Sequence, residues 1–284
     1  MTARSAPQAS IHTTNSLKTD LHRLGVRSGD VLLIHAAMRR IGRVAGGAAA
    51  LVAALVDVVG TEGTLVVPTQ TTDNSDTSCA HLARITGMSP DQIRQYRAAM
   101  PAFDPATTPS TGMGRLAEQV RVSRGSIRSA HPQTSFAALG PLANRLMSGH
   151  QLNCHLGEFS PLARLYEVDA NILLLGVGYS VCTAFHLAEY RYLASPPSRE
   201  YRCVVTDGGQ RRWRRYEDVV LDDRDFGVLG ADLEQTGAAV TGRVGDAECH
   251  LLPLVLAVDF AVAWFGRHRG TAAVAEASRG IAQS

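Results

Sequence analysis

The chain has 284 residues, of which 45% are hydrophobic and 19% charged, as is typical of a globular protein with one substantial core. Its formal net charge of +2, from 28 basic and 26 acidic residues, is too balanced to predict binding to nucleic acid or to a membrane surface. Five scattered cysteines without a C-x-x-C pair predict reduced thiols in a cytoplasmic protein, with no zinc or redox motif. No stretch reaches the roughly 20 apolar residues that a membrane-spanning helix needs.

The first part of the chain predicts an arm followed by a β-α-β unit. Residues 1 to 14 are polar and lack periodicity, which predicts a mobile arm ahead of a single domain over residues 15 to 284. Apolar spacing predicts a helix over 16 to 24, which Gly25 ends. The apolar runs at 31 to 34 and 63 to 68 predict buried strands on either side of a helix over about 47 to 58.

Residues 71 to 111 are irregular, rich in Thr, Asp, Ser and Pro, with a possible helix over 90 to 99. A stretch this long between packed elements is usually functional or disordered, and we expect an inserted substrate loop. Further helices are predicted over 113 to 120, over about 141 to 147 and from Ser160-Pro161, with a strand over 135 to 140.

The second half of the chain contains the clearest buried strand, at 171 to 175. A turn at Asp207-Gly208-Gly209 between two alternating arms predicts a β-hairpin lobe over 200 to 226, and the apolar run 251 to 265 is expected in the core as helix or strand. The alternation of strands and helices predicts an α/β fold, an α/β/α sandwich with a mostly parallel central sheet and a hairpin extension.

His186 is the first candidate for chemistry. The strand 171 to 175 leads into a helix that begins near Thr183, at the sheet edge where α/β proteins bind ligands. In the first turn of that helix the dipole disfavours imidazolium and keeps a histidine competent as a base, and Glu189 or Tyr190 on the same face could orient its ring. A lone histidine at a helix start is more often structural, so spacing leaves both interpretations open.

Two further regions have a weaker functional pattern. The first is the strand exit at 34 to 38, which three arginines and the helix start at Gly46-Gly47 follow. This pattern suits the binding of a phosphate group, but it is equally typical of a solvated basic loop. The carboxylates of 71 to 104 and 216 to 225 could bind a polycation, although most surface carboxylates are only solvated. No nucleophile elbow and no histidine spacing typical of metal sites occurs, so neither a hydrolase triad nor a metal is predicted.

Several colinear strings together resemble the aminoglycoside 3-N-acetyltransferases, over about residues 31 to 193. The strings are IHAAMRRIG, GGAAALVAALVDVVGTEGTLVVPT, MPAFDPATTPSTGMGRLAE, RSAHPQTSFAALGPLA, FSPLARLYEVDANILLLGVG and TAFHLAEYR. The resemblance implies the α/β/α fold of that family and the transfer of an acetyl group from acetyl-CoA to the 3-amino group of an aminoglycoside, a polycationic amine. Nucleic acid, membrane and metal are not implied, and the chain is expected to be a monomer or a homodimer.

The resemblance also implies roles for individual residues. His186 resembles the general base of the family, with Glu189 as the expected orienting partner of its ring. The acid of the hairpin segment falls at Asp218 or Glu217; we favour Asp218 for catalysis and assign Glu217 to the substrate site, with Asp73, Asp76 and Asp104. Cofactor contacts are implied at His35, Ala36, Ala37, Met38, Arg128, His131, Ser135, Phe136 and Thr183. Backbone N–H groups near Ala36 and Ala37 are expected to stabilise the thioester oxyanion.

Two alternatives stay open on the sequence alone. One is an acetyltransferase of the same fold that acts on an amine other than an aminoglycoside. The other is an α/β protein without acetyltransferase activity, such as a hydrolase or a ligand-binding protein.

Overall fold

The computed structural model describes residues 10 to 269. The strands are β1 (Ile11–His12), β2 (Val31–Ala36), β3 (Arg43–Val44), β4 (Thr64–Pro68), β5 (Ile127–Arg128), β6 (Phe136–Leu139), β7 (Asn171–Leu175), β8 (Ser198–Asp207), β9 (Gln210–Val219), β10 (Val240–Val244) and β11 (Ala247–Pro253). The helices are α1 (Thr14–Leu24), α2 (Met38–Ile41), α3 (Gly47–Val59), α4 (Cys79–Ile85), α5 (Pro90–Ala99), α6 (Gly114–Val122), α7 (Ala143–Met147), α8 (Pro161–Glu167), α9 (Phe185–Glu189), α10 (Phe226–Glu234) and α11 (Leu254–His268), with a 3₁₀ turn at Tyr179–Val181.

The main sheet has seven strands in the order β10-β11-β7-β2-β4-β6-β5. Its centre is parallel, because β2 pairs in parallel with both β4 and β7. The pairs β4·β6, β5·β6, β7·β11 and β10·β11 are antiparallel. The predicted α/β fold with a hairpin is confirmed, but the sheet is mixed rather than mostly parallel. A buried apolar run has the same composition in either direction, so the sequence could not show that β6 and β11 run against their neighbours.

Side chains of alternate residues in the central strands enter two separate cores. In β2, Leu33 packs in the larger cluster with α8, α9 and α11, whereas Leu32 and Ile34 pack on the other face with α1, α3 and α6. This alternation follows from the period of two in a strand. Helices cover both faces of the sheet, as the sandwich prediction required.

Most predicted elements lie within a few residues of their expected bounds, but several were not predicted, among them α4, α10 and β10, and the hairpin ends at Val219 rather than at 226. The run 251 to 265, expected as helix or strand, contains the end of β11 and most of α11. The N-terminus differs as well. Residues 1 to 9 of the predicted arm lie outside the described residues. Ile11–His12 pairs with Arg43–Val44, and α1 begins at Thr14 after the cap Thr13, whose side chain accepts a hydrogen bond from the backbone of Ser16. Residues 11 to 14 of the predicted arm therefore belong to the fold, and Ser16 is part of a capping box rather than the cap itself.

The hairpin of β8 and β9 packs on the loop 71 to 111. Isolated bridges join Ser75 to Cys203 and Phe103 to Val205. This loop contains the helices α4 and α5, of which α5 has the bounds that the sequence predicts. The loop and the hairpin thus form one layer beside the main sheet.

Candidate active site

The candidate site lies where β2 and β7, neighbouring parallel strands, end side by side. β2 ends at Ala36 and β7 at Leu175, and these two residues are opposite each other in the register. Gly176 then takes a φ of +66°, and a Cβ there would lie 2.8 Å from Cβ of Arg40 in the β2 exit, so only glycine fits this turn. The chain continues through the 3₁₀ turn into α9, which places the first residues of α9 at the ligand-binding edge of the sheet.

His186 lies in the first turn of α9, and Glu189 holds its ring. Nδ1 of His186 is 2.7 Å from Oε2 of Glu189, whose side chain is only 2% exposed. The other carboxylate oxygen accepts hydrogen bonds from Nη1 of Arg269 at 2.6 Å and from the backbone N–H of Asp222 at 2.9 Å. Glu189 pairs with Arg269 as a carboxylate, which only accepts, so Nδ1 of His186 carries the hydrogen of their bond, and in the neutral ring Nε2 then holds the lone pair. A histidine in this state can remove a proton.

A cavity of about 280 Å³ contacts this histidine. His35, Thr183 and Asp223 line it together with His186. Phe226 lines the same cavity, and its ring centroid lies 4.7 Å from that of His186, so the base has an apolar neighbour on one side and polar groups on the others. The cavity thus contains a possible base, a hydroxyl and a carboxylate within one small volume.

His35, at the end of β2, is bonded to Thr183 across the cavity wall. Nε2 of His35 lies 3.0 Å from Oγ1 of Thr183 and accepts a hydrogen bond from its backbone N–H at 3.2 Å. Burial, with a smaller contribution from the charge of His186, lowers the pKa of His35 to about 4. His35 is therefore neutral at physiological pH.

A second cleft, of about 740 Å³, adjoins the cavity and shares Ala36 with it. Ala37, Met38 and Arg39 line it from one side, and Arg115 at the start of α6 lines it from the other. Both arginines are exposed. Of the predicted cofactor contacts, the structure brings together His35, Ala36, Ala37, Met38 and Thr183, along one continuous surface that ends at two cationic side chains.

The backbone at Ala37 does not supply the expected oxyanion donor. Its N–H donates to the carbonyl oxygen of Leu175 at 2.9 Å and so continues the pairing of β2 with β7. A donor that is already used in the sheet cannot also bind a developing negative charge. The expectation for Ala37 is therefore wrong.

The other predicted cofactor contacts are not among the residues that line the cavity or the cleft. The side chains of His131, Ser135 and Phe136 are fully buried. Arg128 donates to Thr69, Ser135 and the backbone of Thr108, and burial lowers its pKa to about 10. Their contact with the cofactor therefore stays a prediction. A sequence string does not distinguish residues that support a site from residues that line it.

Asp218 is held by a different histidine. Its Oδ2 lies 2.5 Å from Nδ1 of His155 and accepts a hydrogen bond from the hydroxyl of Tyr190 at 2.8 Å. Both members of the His155–Asp218 pair are at most 4% exposed. Neither Asp218 nor Tyr190 orients His186, so the expected catalytic role of Asp218 is not supported by its position. Glu217 is exposed on the other side of β9.

The predicted substrate carboxylates differ in how far other residues already bind them. Asp76 is buried and forms ion pairs with Arg202 and, at 3.0 Å, with Arg97. An acid neutralised in this way has no charge left for a substrate amine, so the assignment of Asp76 to the substrate site is corrected. Asp73 is exposed and accepts a hydrogen bond from the hydroxyl of Thr111, while Asp104 is half-buried with one oxygen bonded to the backbone of Ala106.

Asp223 belongs to the acidic segment 216 to 225 but was not singled out from the sequence. It lines the cavity beside His186, and no hydrogen bond or ion pair from another residue in the range 10 to 269 reaches its carboxylate. Its neighbours differ, since Asp222 pairs with Arg224 and Asp225 with Arg269. The acidity of 216 to 225 was visible in the sequence, but which carboxylate enters the cavity depends on how the chain crosses from β9 to α10.

Within residues 10 to 269, no group of three or more His, Cys, Asp or Glu side chains is arranged to hold a metal ion. Over the same range, no helix combines the length and the apolar character that crossing a membrane requires.

The fold and the site together define an α/β protein with a histidine–carboxylate pair beside a cavity, and comparison with known proteins gives its family. The family described as aminoglycoside 3-N-acetyltransferase matches residues 33–266. The chain belongs to this family.

Individual relatives cover nearly the whole chain. It is 37% identical to an aminoglycoside N(3')-acetyltransferase-like protein, YokD, of Bacillus subtilis, over 89% of this chain and 92% of the relative. It is 36% identical to aminoglycoside N(3)-acetyltransferase VII of Streptomyces paromomycinus, over 91% and 94%.

Solved structures agree with the fold. The crystal structure of YokD superposes with a TM-score of 0.86 at 35% identity, covering 93% of this chain and 96% of the other. An AAC-IIIb complex with CoASH superposes with a TM-score of 0.79 at 28% identity, over 91% and 97%. A structure of AAC-VIa with sisomicin bound gives 0.78 at 28%, over 91% and 99%.

Proposed function

We propose that the protein transfers the acetyl group of acetyl-CoA to the 3-amino group of an aminoglycoside, with His186 as the general base in a ternary complex. One observation carries the proposal: Nδ1 of His186 is bonded to the buried Glu189, while the ring lines a cavity with polar groups. Membership of the family and the CoASH and sisomicin complexes of two similar proteins support the same reaction.

In the proposed reaction His186 acts first as a base and then as an acid. Nε2 of His186 removes a proton from the attacking nitrogen as the new C–N bond forms at the thioester carbon. Glu189 stabilises the resulting imidazolium, because its carboxylate accepts the Nδ1 hydrogen bond. When the C–S bond breaks, His186 returns the proton to the leaving sulfur. General base catalysis of this kind contributes about 10² to 10⁴ in rate.

The two cavities divide the substrates. We place the thioester end of acetyl-CoA beside Thr183 and Ala36, and the phosphates in the adjoining cleft near Arg39 and Arg115. Exposed guanidinium groups suit phosphates because they carry a permanent charge and several donors.

The amine substrate enters from the acidic side. Asp223 lies in the cavity beside the base, and Asp73 and Asp104 lie on the loop 71 to 111 with oxygens that the described residues leave free. We propose that Asp223 holds an ammonium group next to the one that reacts, and that Asp73 and Asp104 attract the rest of the polycation.

The experiment that tests the function is a panel of aminoglycosides with acetyl-CoA, read by release of free CoA and by the position of the acetyl group in the product. We expect turnover with acetylation at the 3-amino group. His186→Ala should lower turnover at least about 100-fold, while acetyl-CoA still raises the melting temperature. The matched control is His22→Ala, at an exposed position of α1. Wild-type turnover in His186→Ala would remove His186 as the base.

A second candidate function is acetylation of a different amine on the same fold. It is favoured by the neutralisation of Asp76, which leaves the loop with fewer free carboxylates than its sequence suggests. A small amine has less need of several anionic contacts. The panel is therefore extended with small diamines. CoA release with a diamine but with no aminoglycoside would establish this function instead.

A further inference from the structure

The bond between His35 and Thr183 fixes where the hydrogen of each group lies. A backbone N–H can only donate, and that of Thr183 points to Nε2 of His35 at 3.2 Å. Nε2 must therefore hold a lone pair, and the neutral ring carries its hydrogen on Nδ1. The hydroxyl of Thr183, 3.0 Å from the same Nε2, is then the donor in that contact.

This arrangement leaves Nδ1 of His35 without a hydrogen-bond partner among the described residues, although the atom is buried. A buried N–H without a partner costs free energy, so such groups are rare in native proteins. The opposite tautomer would not remove the problem, because it would place two N–H groups against each other at Nε2. The unpaired N–H at Nδ1, with its cost in free energy, is thus a consequence of having an acceptor at Nε2.

We propose that His35 is a positioning residue that takes up the hydroxyl hydrogen of Thr183, so that Thr183 presents only lone pairs to the cavity and binds an N–H group there. This rests on the proposed function, since it names the chemistry of a ligand in the same cavity. A hydroxyl directed in this way does not donate to the oxyanion of the reaction.

Two N–H groups of the proposed reaction could be that ligand. One is the attacking amine, which has a further hydrogen beside the one that His186 removes. The other is the amide N–H of the pantetheine arm, next to the thioester. Thr183 precedes His186 by three residues and both line the cavity, so either donor would be held close to the base.

The tautomer is testable without any substrate. In protein labelled with ¹⁵N histidine, long-range ¹H–¹⁵N correlation spectra distinguish a protonated ring nitrogen from an unprotonated one. We expect the His35 signals, assigned by their loss in His35→Gln, to show Nδ1 protonated and Nε2 unprotonated at pH 7. A ring protonated at Nε2 would overturn the proposal. Failure of the proposed function, with no CoA release from any amine, would leave this measurement unaffected.

Kinetics then test whether His35 acts through Thr183. Glutamine places its amide oxygen near the position of Nε2, whereas asparagine reaches only the position of Nδ1. We expect His35→Gln to keep kcat/KM within about threefold, and His35→Asn and Thr183→Val each to lower it about tenfold. In the double variant, His35→Asn should add no more than about twofold to the effect of Thr183→Val. If the losses in kcat/KM of His35→Asn and Thr183→Val add fully in the double variant, His35 is merely structural. The same conclusion holds if His35→Gln and His35→Asn lower kcat/KM equally.

The same variants identify the N–H donor. If the amine is the ligand, Thr183→Val lowers kcat and leaves the KM of acetyl-CoA unchanged. If the pantetheine amide is the ligand, Thr183→Val raises the KM of acetyl-CoA, and Thr183→Ser restores it. Wild-type kcat and wild-type KM for both substrates in Thr183→Val would contradict the proposal.

Discussion

At the scale of single residues, the carboxylate of Glu189 accepts three hydrogen bonds at once, from His186, Arg269 and the backbone of Asp222. Each bond restricts where the carboxylate can move, so the ring of His186 is held in one orientation. A histidine with such a partner is a better base than a freely rotating one, because its lone pair already points in a fixed direction.

Glu189→Gln should therefore reduce turnover. The amide has the same shape, but it cannot stabilise the imidazolium, and we expect kcat to fall at least about tenfold with a smaller change in either KM. Steady-state kinetics of CoA release measure it. The control is Glu158→Gln, which alters another glutamate bonded to an arginine, Arg191, at a site that is 51% exposed. An unchanged kcat in Glu189→Gln would show that the carboxylate only supports the fold.

Asp223→Asn tests the substrate contact. Losing the charge beside the base should raise the KM of the amine about five- to tenfold and leave the KM of acetyl-CoA unchanged. Higher salt should reduce the difference in amine KM between the wild type and Asp223→Asn, since salt screens an exposed charge. Asp57→Asn, on the outer face of α3, is the matched control. An amine KM equal to that of the wild type would remove Asp223 from the substrate site.

At the scale of elements, the sequence predicted a helix or a turn well where the residues that define it lie next to each other in the chain. The start of α5 follows from Ser89 as cap, Pro90 in the first turn and Gln92 in the capping box, all within four residues. The turn at Gly208-Gly209 likewise predicted the hairpin. The direction of β6 and the partner of Asp76 could not be predicted, because they depend on contacts between residues far apart, such as Asp76 and Arg202.

The hairpin depends on the loop 71 to 111, and Asp76 is the centre of that contact. Asp76→Asn removes the charge that Arg97 and Arg202 share, and we expect a loss of about 1 to 3 kcal/mol in the free energy of unfolding. Urea denaturation measures it. Asp91→Asn, which breaks an exposed pair with Arg94 in the same loop, should change stability by less than about 0.5 kcal/mol. Equal effects of the two substitutions would show that Asp76 is not a structural centre.

At the scale of the whole molecule, buried neutral histidines make stability depend on pH. Burial lowers the pKa of His35 and of His150 to about 4, and that of His131 well below its usual range. Between these values and the unfolded pKa near 6.5, the unfolded chain binds more protons than the folded one. Their stabilising effect is therefore complete above pH 6.5 and is lost as the pH falls toward 4.

We expect the free energy of unfolding to fall between pH 7.5 and 5, by about 2 kcal/mol for each of His35 and His150. Urea denaturation at several pH values measures the slope. His150→Gln should lower the number of protons taken up on unfolding by about one, because glutamine does not titrate. Stability that does not change over this interval would contradict the burial of neutral histidines.

The ion pair between Arg269 and Glu189 connects the proposed base to the end of α11, 80 residues further along the chain. Arg269 lies three residues beyond the segment that matches the family, 33–266. The proposed catalysis is therefore sensitive to a change far from the cavity along the chain. A change that unwinds the last turn of α11 would release Glu189 and free the ring of His186, and every residue that lines the cavity would still be intact.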